Sequence, residues 1–144
     1  MADPAAGASA ILVTAGVGTA GATSGWGIFL GRMPSKPDTV VVVKNAGGLP
    51  PNPKWRLDYP SLQVLVRGAA NDRATAFTKA KAVKDALLGY PSGVVGGVGG
   101  DTWVQVLQMG DIAEIGYDEN NRPLLSLNFS LIVEPTSGTN RVSL

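Results

Sequence analysis

The segment 59–88 constrains the fold most, because it joins a strand pattern to an amphipathic helix pattern. Its first part alternates apolar with more polar residues, and the apolar side chains are Leu62, Val64 and Val66. After a polar break, Asn71 or Asp72 can accept hydrogen bonds from the first free N–H groups of a helix. The apolar positions that follow are spaced by three and four residues, at Ala76, Phe77, Ala80, Val83 and Leu87. With stop signals at Gly89 and Pro91, the pattern predicts a helix over 72–88 that packs against a strand.

The second half of the chain is predicted to be mostly sheet. Two strands, 102–109 and 111–117, lie on either side of Gly110, and a polar turn follows at 118–122. The strand 123–133 has the clearest alternation in the sequence, and its apolar side chains are Leu125, Leu127, Phe129, Leu131 and Val133. Burying them would contribute on the order of 1.5–3 kcal/mol each before entropy is subtracted, so we expect this strand to be central.

The first half is predicted to contain a helix, two strands and a long loop. Residues 5–17 could form a helix or a strand, and we predict a helix. Residues 26–31 and 39–44 predict two strands, and four consecutive valines in the second suit a strand that is covered on both faces. Residues 45–58 predict a long loop, and loops of this length in compact domains are commonly functional.

These elements predict one domain over residues 1–134, followed by a C-terminal tail at 135–144. The predicted fold class is α/β of the α+β type, with a mixed, mainly antiparallel sheet and a long helix packed on one face. Because the tail lacks periodicity, we expect it to be exposed and to become ordered only against a partner.

The residue types present exclude several kinds of chemistry. The chain has no Cys and no His, which removes thiol nucleophiles, imidazole bases and nearly all zinc, copper and haem ligation. We therefore expect no enzyme activity, no cofactor and no metal. No apolar run approaches about 20 residues, and the N-terminus carries no signal-peptide pattern, so we expect an intracellular protein without a membrane span.

Three motifs that could suggest a nucleotide or metal site have simpler explanations. The segment 16–21 matches G-x-G-x-x-G, but further glycines and a proline follow where that pattern requires a helix, so we expect no cofactor site there. The glycine-dense segment 92–100 lacks the Lys-Ser or Lys-Thr of a phosphate-binding loop, so we expect a flexible loop. Asp118 and Glu119 are adjacent acids, and we expect them to point apart into water from a solvated turn.

Charge is distributed unevenly along the chain, although the net charge is only +1. Residues 32–84 contain ten basic residues and three acids, whereas residues 85–119 contain six acids and no base. This could be chance clustering of solvated side chains. Alternatively, if the two flanks lie on opposite sides of the subunit, identical copies could associate head to tail in a ring or a filament. The interface candidates in these segments are Arg73, Lys84, Asp111, Glu114, Asp118 and Glu119.

Lys54, Trp55 and Arg56 are the strongest candidates for a protein contact, because Trp and Arg dominate the hot spots of protein interfaces. The alternative is that Trp55 packs over the core and anchors its own loop. On the predicted helix, Arg73 and Lys84 lie close to the apolar stripe, where they either snorkel or meet the acids of a neighbouring subunit.

A series of short motifs leads up to the strand of the segment described first. In order they are Gly18-Thr19-Ala20-Gly21, Ile28-Phe29-Leu30-Gly31, Met33-Pro34, Val40-Val41-Val42-Val43, Gly47-Gly48-Leu49-Pro50-Pro51 and the run that begins at Tyr59. In this order of motifs the chain resembles the minor capsid, or tail-terminator, proteins of long-tailed bacteriophages, over residues 10–134. It departs from the family at the Ala- and Gly-rich N-terminus and in the segment 92–100.

The resemblance implies a structural virion protein without catalytic residues. It implies a ring, a hexamer, that caps the growing tail tube, ends its polymerisation and joins the tail to the head. The implied partners are further copies of the chain, the tail-tube protein and a head-completion or connector protein. DNA would pass through the pore without specific binding, in line with the nearly neutral charge. The protein would be assembled in the host cytoplasm and lie at the head-proximal end of the tail.

Two alternative functions remain open from the sequence. They are a head–tail connector subunit of the neck and a small enzyme acting on a nucleotide or sugar.

Overall fold

Two helices pack on one face of a mixed eight-stranded sheet in the computed structural model, which describes residues 2–88, 90, 93–94, 101–135 and 140–142. The predicted α+β class and the mainly antiparallel sheet are therefore confirmed. The elements are α1 (Pro4–Thr14), β1 (Thr19–Ala20), β2 (Gly27–Leu30), β3 (Val40–Leu49), β4 (Tyr59–Arg67), α2 (Arg73–Leu88), β5 (Gly93–Val94), β6 (Thr102–Gln108), β7 (Ala113–Tyr117) and β8 (Pro123–Glu134).

The strands lie in the order β1-β2-β3-β4-β8-β6-β5, and β7 also pairs with β8. The first three strands are parallel to each other, and the other pairs are antiparallel. One side of β8 pairs with β4; the other side pairs with β7 along its first half and with β6 along its second half. The prediction that this strand is central is confirmed, and β6 and β7 lie end to end beside it.

The core lies between the sheet and the two helices. The five alternating apolar side chains of β8 are buried, as are the three predicted on β4. From α2, the core receives Ala76, Ala80, Val83 and Leu87. The prediction that Phe77 belongs to the apolar stripe of the helix was wrong. Its side chain is 38% exposed, because it lies one residue, or about 100°, around the helix from this narrow stripe. The predicted end of α2, at Gly89 and Pro91, and most of the glycine-dense segment lie outside the described residues.

The choice of a helix at the N-terminus is confirmed by α1, whose first turn is held by Asp3 and Asn45. The Asp3 Oδ1 atom accepts hydrogen bonds from the Ala5 backbone N–H (3.0 Å) and from the Asn45 side-chain amide (2.7 Å). The buried side chains Ile11 and Leu12 join the helix to the core. After α1 the chain enters β1, so the G-x-G-x-x-G segment does not begin the helix that nucleotide binding would require.

The face of the sheet opposite the helices is covered at one end by the connection between β2 and β3, residues 31–39. The four valines of β3 are fully buried, with Val41 and Val43 in the core on the helix side and Val40 and Val42 on the other face, which confirms their prediction. The buried Arg67 guanidinium donates to the backbone carbonyls of Asp38 (2.9 Å) and Pro37 (2.7 Å). Burial, and then the positive charge of Arg122, lower the pKa of Arg67. These hydrogen bonds fix the connection on the sheet.

The prediction of a loop over residues 45–58 was wrong for its first part, because β3 continues to Leu49 in register with β4. The pairing shifts between Asn45 and Gly48, where a bulge lets the strand continue through two glycines. Gly48 has φ of 121°, and an added Cβ would lie 2.2 Å from the Tyr59 carbonyl oxygen. The loop therefore comprises residues 50–58. The bulge sets the direction in which the chain enters this loop.

Replacing Gly48 by Ala should destabilise the protein by more than about 2 kcal/mol, because both the backbone strain and the close approach to β4 must be relieved. Gly47→Ala is the matched control: its φ of 79° is also positive, but no atom lies within 4 Å of an added Cβ. We expect it to cost about 1 kcal/mol. Urea unfolding of both variants measures the difference, and equal losses would contradict the role assigned to the bulge.

Candidate protein-interaction surfaces

The loop 50–58, called here the Trp55 loop, is closed by hydrogen bonds at both of its ends. Near its start, the Asn52 Oδ1 atom accepts from the backbone N–H groups of Lys54 (2.9 Å) and Trp55 (2.8 Å). At its end, Asp58 and Val133 of β8 exchange two backbone hydrogen bonds of 2.9 Å. The loop is thus built on the end of the central strand, which gives it a fixed position on the sheet.

A second chain segment, residues 140–142, clamps the Trp55 loop. The Arg56 N–H donates to the Val142 carbonyl (2.8 Å), and the Val142 N–H donates to the Lys54 carbonyl (2.9 Å). Arg141 forms a two-point ion pair with Asp58, with Nη1 to Oδ1 at 2.7 Å and Nη2 to Oδ2 at 3.1 Å. The expectation that the tail becomes ordered only against a partner is therefore wrong for these three residues, because they pair with the chain's own loop.

The Arg141–Asp58 ion pair is bidentate, which is the strong form of an arginine–carboxylate pair. Two parallel charge-assisted hydrogen bonds fix the relative orientation of the guanidinium and the carboxylate. Asp58 is only 5% exposed, and its hydrogen bond raises the pKa of Arg141. Nothing in the sequence periodicity pointed to this pair, because a single Arg in an irregular segment forms it.

Within this clamped loop, Trp55 is half-buried, and the Lys54 ammonium lies 4.9 Å from its ring centroid. The backbone of Trp55 is held by Asn52 and by pairing with Val142, while part of the ring remains open to solvent. The interpretation of Trp55 as an anchor of its own loop therefore holds in part, since its backbone helps to order the loop. Its ring still presents aromatic surface to solvent. That Lys54, Trp55 and Arg56 contact another protein stays a prediction.

The charged residues that were predicted to pair between subunits pair within one chain. Arg73 of α2 bonds to Glu114 of β7, and Lys84 contacts both carboxylate oxygens of Asp111 (3.0 and 3.1 Å). For these four residues the premise that the basic and acidic flanks lie on opposite sides is wrong, because β7 lies beside α2 and brings them together. The bond to Glu114 raises the pKa of Arg73. Hydrogen bonds from the Ile112 N–H and from Lys84 lower the pKa of Asp111.

Asp118 and Glu119 do not act together. Asp118 Oδ1 accepts from the backbone N–H groups of Asn120 (3.0 Å) and Arg122 (2.9 Å), and its Oδ2 accepts from Arg122 Nε (2.7 Å). Glu119 is exposed and forms no ion pair with any described residue. Asp118 therefore builds the turn before β8, and only Glu119 matches the predicted solvated acid.

Sequence reasoning missed the buried Arg122, which joins this turn to the connection over the sheet. Its Nη1 atom donates to the Ser35 carbonyl (2.8 Å) and to Asp38 (3.1 Å), while its Nε atom binds Asp118. The only hint of this ion pair in the sequence was the spacing of four residues between Asp118 and Arg122. In a turn, unlike in a helix, that spacing does not place two side chains next to each other.

Sequence reasoning also missed an exposed apolar edge beside β8. Among the eleven large hydrophobic residues that are exposed in the described part of the chain, five lie on β6, on β7 or between them: Val104, Leu107, Met109, Ile115 and Tyr117. No described strand pairs with the outer side of β7. The alternation of these segments predicted strands, but it did not reveal that the strands lie at an edge.

The described residues contain no group of three or more acids that could hold a metal ion, and no described helix is long and apolar enough to cross a membrane. The described part of the chain does present a loop held by hydrogen bonds around Trp55, an exposed apolar strand edge and a set of internal ion pairs. These features suit contacts with other proteins.

Asp118→Asn should make stability less sensitive to acid. Burial alone would raise the pKa of Asp118, but hydrogen bonds from Arg122 and Asn120 outweigh it and lower the pKa. The stabilisation is thus fully present above the unfolded pKa of about 3.9 and is lost as the pH falls through the lower folded-state pKa. In urea unfolding, the free energy of unfolding of the wild type should exceed that of Asp118→Asn near neutral pH, and the difference should shrink as the pH falls below the unfolded pKa. The exposed Glu119→Gln is the control, and a pH dependence equal to that of Asp118→Asn would contradict this assignment.

Arg141→Gln should release the Trp55 loop, because the mostly buried Asp58 carboxylate loses its charged partner. Trypsin cleaves after Lys54 and Arg56, so mass spectrometry of a limited digest reports the opening of the loop directly. We expect faster cleavage at both sites with an unchanged far-ultraviolet circular dichroism spectrum. Lys81→Gln, an exposed change on α2, should leave the cleavage rate as it is. Equal rates in the two variants would show that the clamp does not hold the loop.

Comparison with known proteins identifies the family of the chain. A family model described as bacteriophage tail terminator protein matches residues 11–135, which is well over half of the chain. It spans every described strand, α2 and the Trp55 loop, and it confirms the family indicated by the short motifs. No curated protein matches the chain. The chain belongs to the bacteriophage tail terminator family, whose members are structural proteins of the phage tail.

Proposed function

We propose that this tail protein forms a ring of six copies that caps the tail tube, ends its polymerisation and joins the tail to the head. The family match over residues 11–135 is the observation that carries the proposal. Further copies of the chain, the tail-tube protein and a head-completion protein are the proposed partners, and DNA passes through the pore without specific binding. The protein would then lie at the head-proximal end of the tail.

The Trp55 loop is the proposed contact with the tail tube. Its clamp supports this assignment, because a loop that is already ordered loses little conformational freedom on binding. A half-exposed Trp beside a Lys and an Arg offers apolar area together with directed polar groups, which is the usual composition of an interface hot spot. The contact would be made without rearrangement of the loop.

Termination requires that the two ends of the subunit differ, because an end that imitated the tube would template another ring. The Trp55 loop lies at one end of the sheet, next to Val133 of β8. At the other end of β8 lies the turn formed by Asp118 and Arg122, whose hydrogen-bonding groups are already paired within the subunit. We assign the first end to the tube and the second to the head-completion protein.

Polymerising the tail-tube protein of the same phage in the presence of this protein tests the proposal. Electron microscopy should show shorter tubes, each with a ring at one end. Trp55→Ala should keep the melting temperature of the monomer and weaken capping by about 2 kcal/mol or more, whereas Lys54→Ala, whose side chain is exposed, should cost less than about 1 kcal/mol.

Three outcomes would contradict this proposal. Tubes of unchanged length without terminal rings would exclude the terminator role, and binding to head-completion proteins alone would favour a neck connector. Turnover of a nucleotide or sugar that is lost on substitution of one carboxylate would favour an enzyme. Unfolding of the monomer by Trp55→Ala would restrict that residue to internal packing.

A further inference from the structure

The proposed ring needs two different surfaces on each subunit, and the structure offers a matching pair at opposite edges of the sheet. The first surface, called here the β7 edge, consists of Ile115 and Tyr117 of β7 together with Leu107 and Met109 at the adjoining end of β6. Leu107 and Ile115 are 51% and 54% exposed. Because no described strand pairs with the outer side of β7, this edge has backbone groups as well as apolar side chains available for a partner.

The second surface, called here the β2 cleft, lies at the other edge. It is a depression of about 640 Å³ lined by Phe29, Leu30, Arg32, Met33, Pro34 and Ser35. Leu30 is 48% exposed, and β1 pairs with β2 only at Gly27 and Ile28, so the strand edge next to Leu30 is open among the described residues. Phe29, Leu30, Met33 and Pro34 form the apolar part of this lining, which suits the insertion of a few aliphatic side chains beside the polar Arg32 and Ser35.

The charges around these two surfaces are complementary. Arg32 lines the β2 cleft and Lys36 is exposed beside it, and neither forms an ion pair with a described residue. The β7 edge is flanked by Asp111, Glu114 and Glu119. The first two are each paired with a single cation while remaining about half exposed or more, and Glu119 has no described ion pair. Arg73 and Lys84 offset two of these three acids, so the excess negative charge of the edge comes from Glu119, whereas the cleft presents Arg32 and Lys36 without a described ion pair.

From this complementarity we infer that the β7 edge of one copy docks in the β2 cleft of the next copy. The inference rests on the ring proposed above and names the contact that closes it. β3, β4 and β8 separate β2 from β7, so the two surfaces lie roughly 19 Å apart at the strand spacing of a sheet. Two unlike surfaces on opposite edges form a head-to-tail contact, which closes into a ring when the rotation between copies permits.

Aspartate substitutions on each surface test the contact. Ile115→Asp and Leu30→Asp should each raise the dissociation constant of self-association by about tenfold or more, because a charge would be buried without a partner. Both side chains are half exposed, so the fold should survive, as circular dichroism will show; Leu107→Asp replaces Ile115→Asp if that variant fails to fold. Leu49→Asp, at a site 69% exposed on the β3–β4 hairpin, is the control that should leave self-association unchanged. Native mass spectrometry and light scattering give the masses, alone and on tail tubes.

Mixing the two variants separates a head-to-tail contact from other arrangements. Each variant keeps one intact surface, so an equimolar mixture of Ile115→Asp and Leu30→Asp should form heterodimers but no ring. Full association of Leu30→Asp by itself would indicate edge-to-edge pairing and overturn the inference. Loss of tube binding with unchanged self-association would assign the surfaces to the tube protein and also overturn it.

The results also separate this inference from the proposed function. Wild-type rings that tolerate both substitutions would overturn the contact and leave the terminator role intact. A wild-type chain that neither self-associates nor caps tubes would overturn the role and the contact together.

Discussion

The fold depends on the double pairing of β8, because among the described strands only β8 joins those of the first half of the chain to those of the second. β4 pairs along one side, and β6 and β7 share the other. The alternating side chains of β8 fill the space beneath the helices, so hydrogen bonding and core packing are fixed by the same residues. The register of β8 also sets both ends of the subunit, since Val133 positions the Trp55 loop and Pro123 follows the Arg122 turn.

The charged side chains described above mainly hold parts of one chain together. Arg67 and Arg122 hold the connection between β2 and β3, Arg141 holds the loop, and Arg73 and Lys84 join α2 to the β7 region. Arginine suits the buried positions because its planar group serves several carbonyl or carboxylate oxygens at once. Exposed pairs of this kind contribute little to stability, so their main effect is to decide which charges remain available for other chains.

The periodic parts of the fold could be predicted from the sequence, because alternation on β4 and β8 and the spacing on α2 follow directly from burial. The extension of β3 could not, since Gly47 and Gly48 are typical of loops and here permit a bulge. The ion pairs of the candidate site also escaped prediction, because separation of charge along a sequence does not report which segments meet in space. Trp55 was recognised by its residue type, whereas its clamp depends on one Arg in an irregular segment that lies 83 residues beyond Asp58.

Because Arg141 lies so far along the chain from Asp58, the order of the Trp55 loop depends on the polypeptide being intact. The ribosome makes the Trp55 loop early, but its clamp is translated only after the helix, the edge strands and the central strand are complete. A chain that ends between residues 135 and 139 contains every described strand, yet its loop lacks the backbone and ionic contacts that hold it. Order in the Trp55 loop is therefore a property only of chains that extend as far as residue 142, so damage far along the sequence is felt at a surface made from its first half.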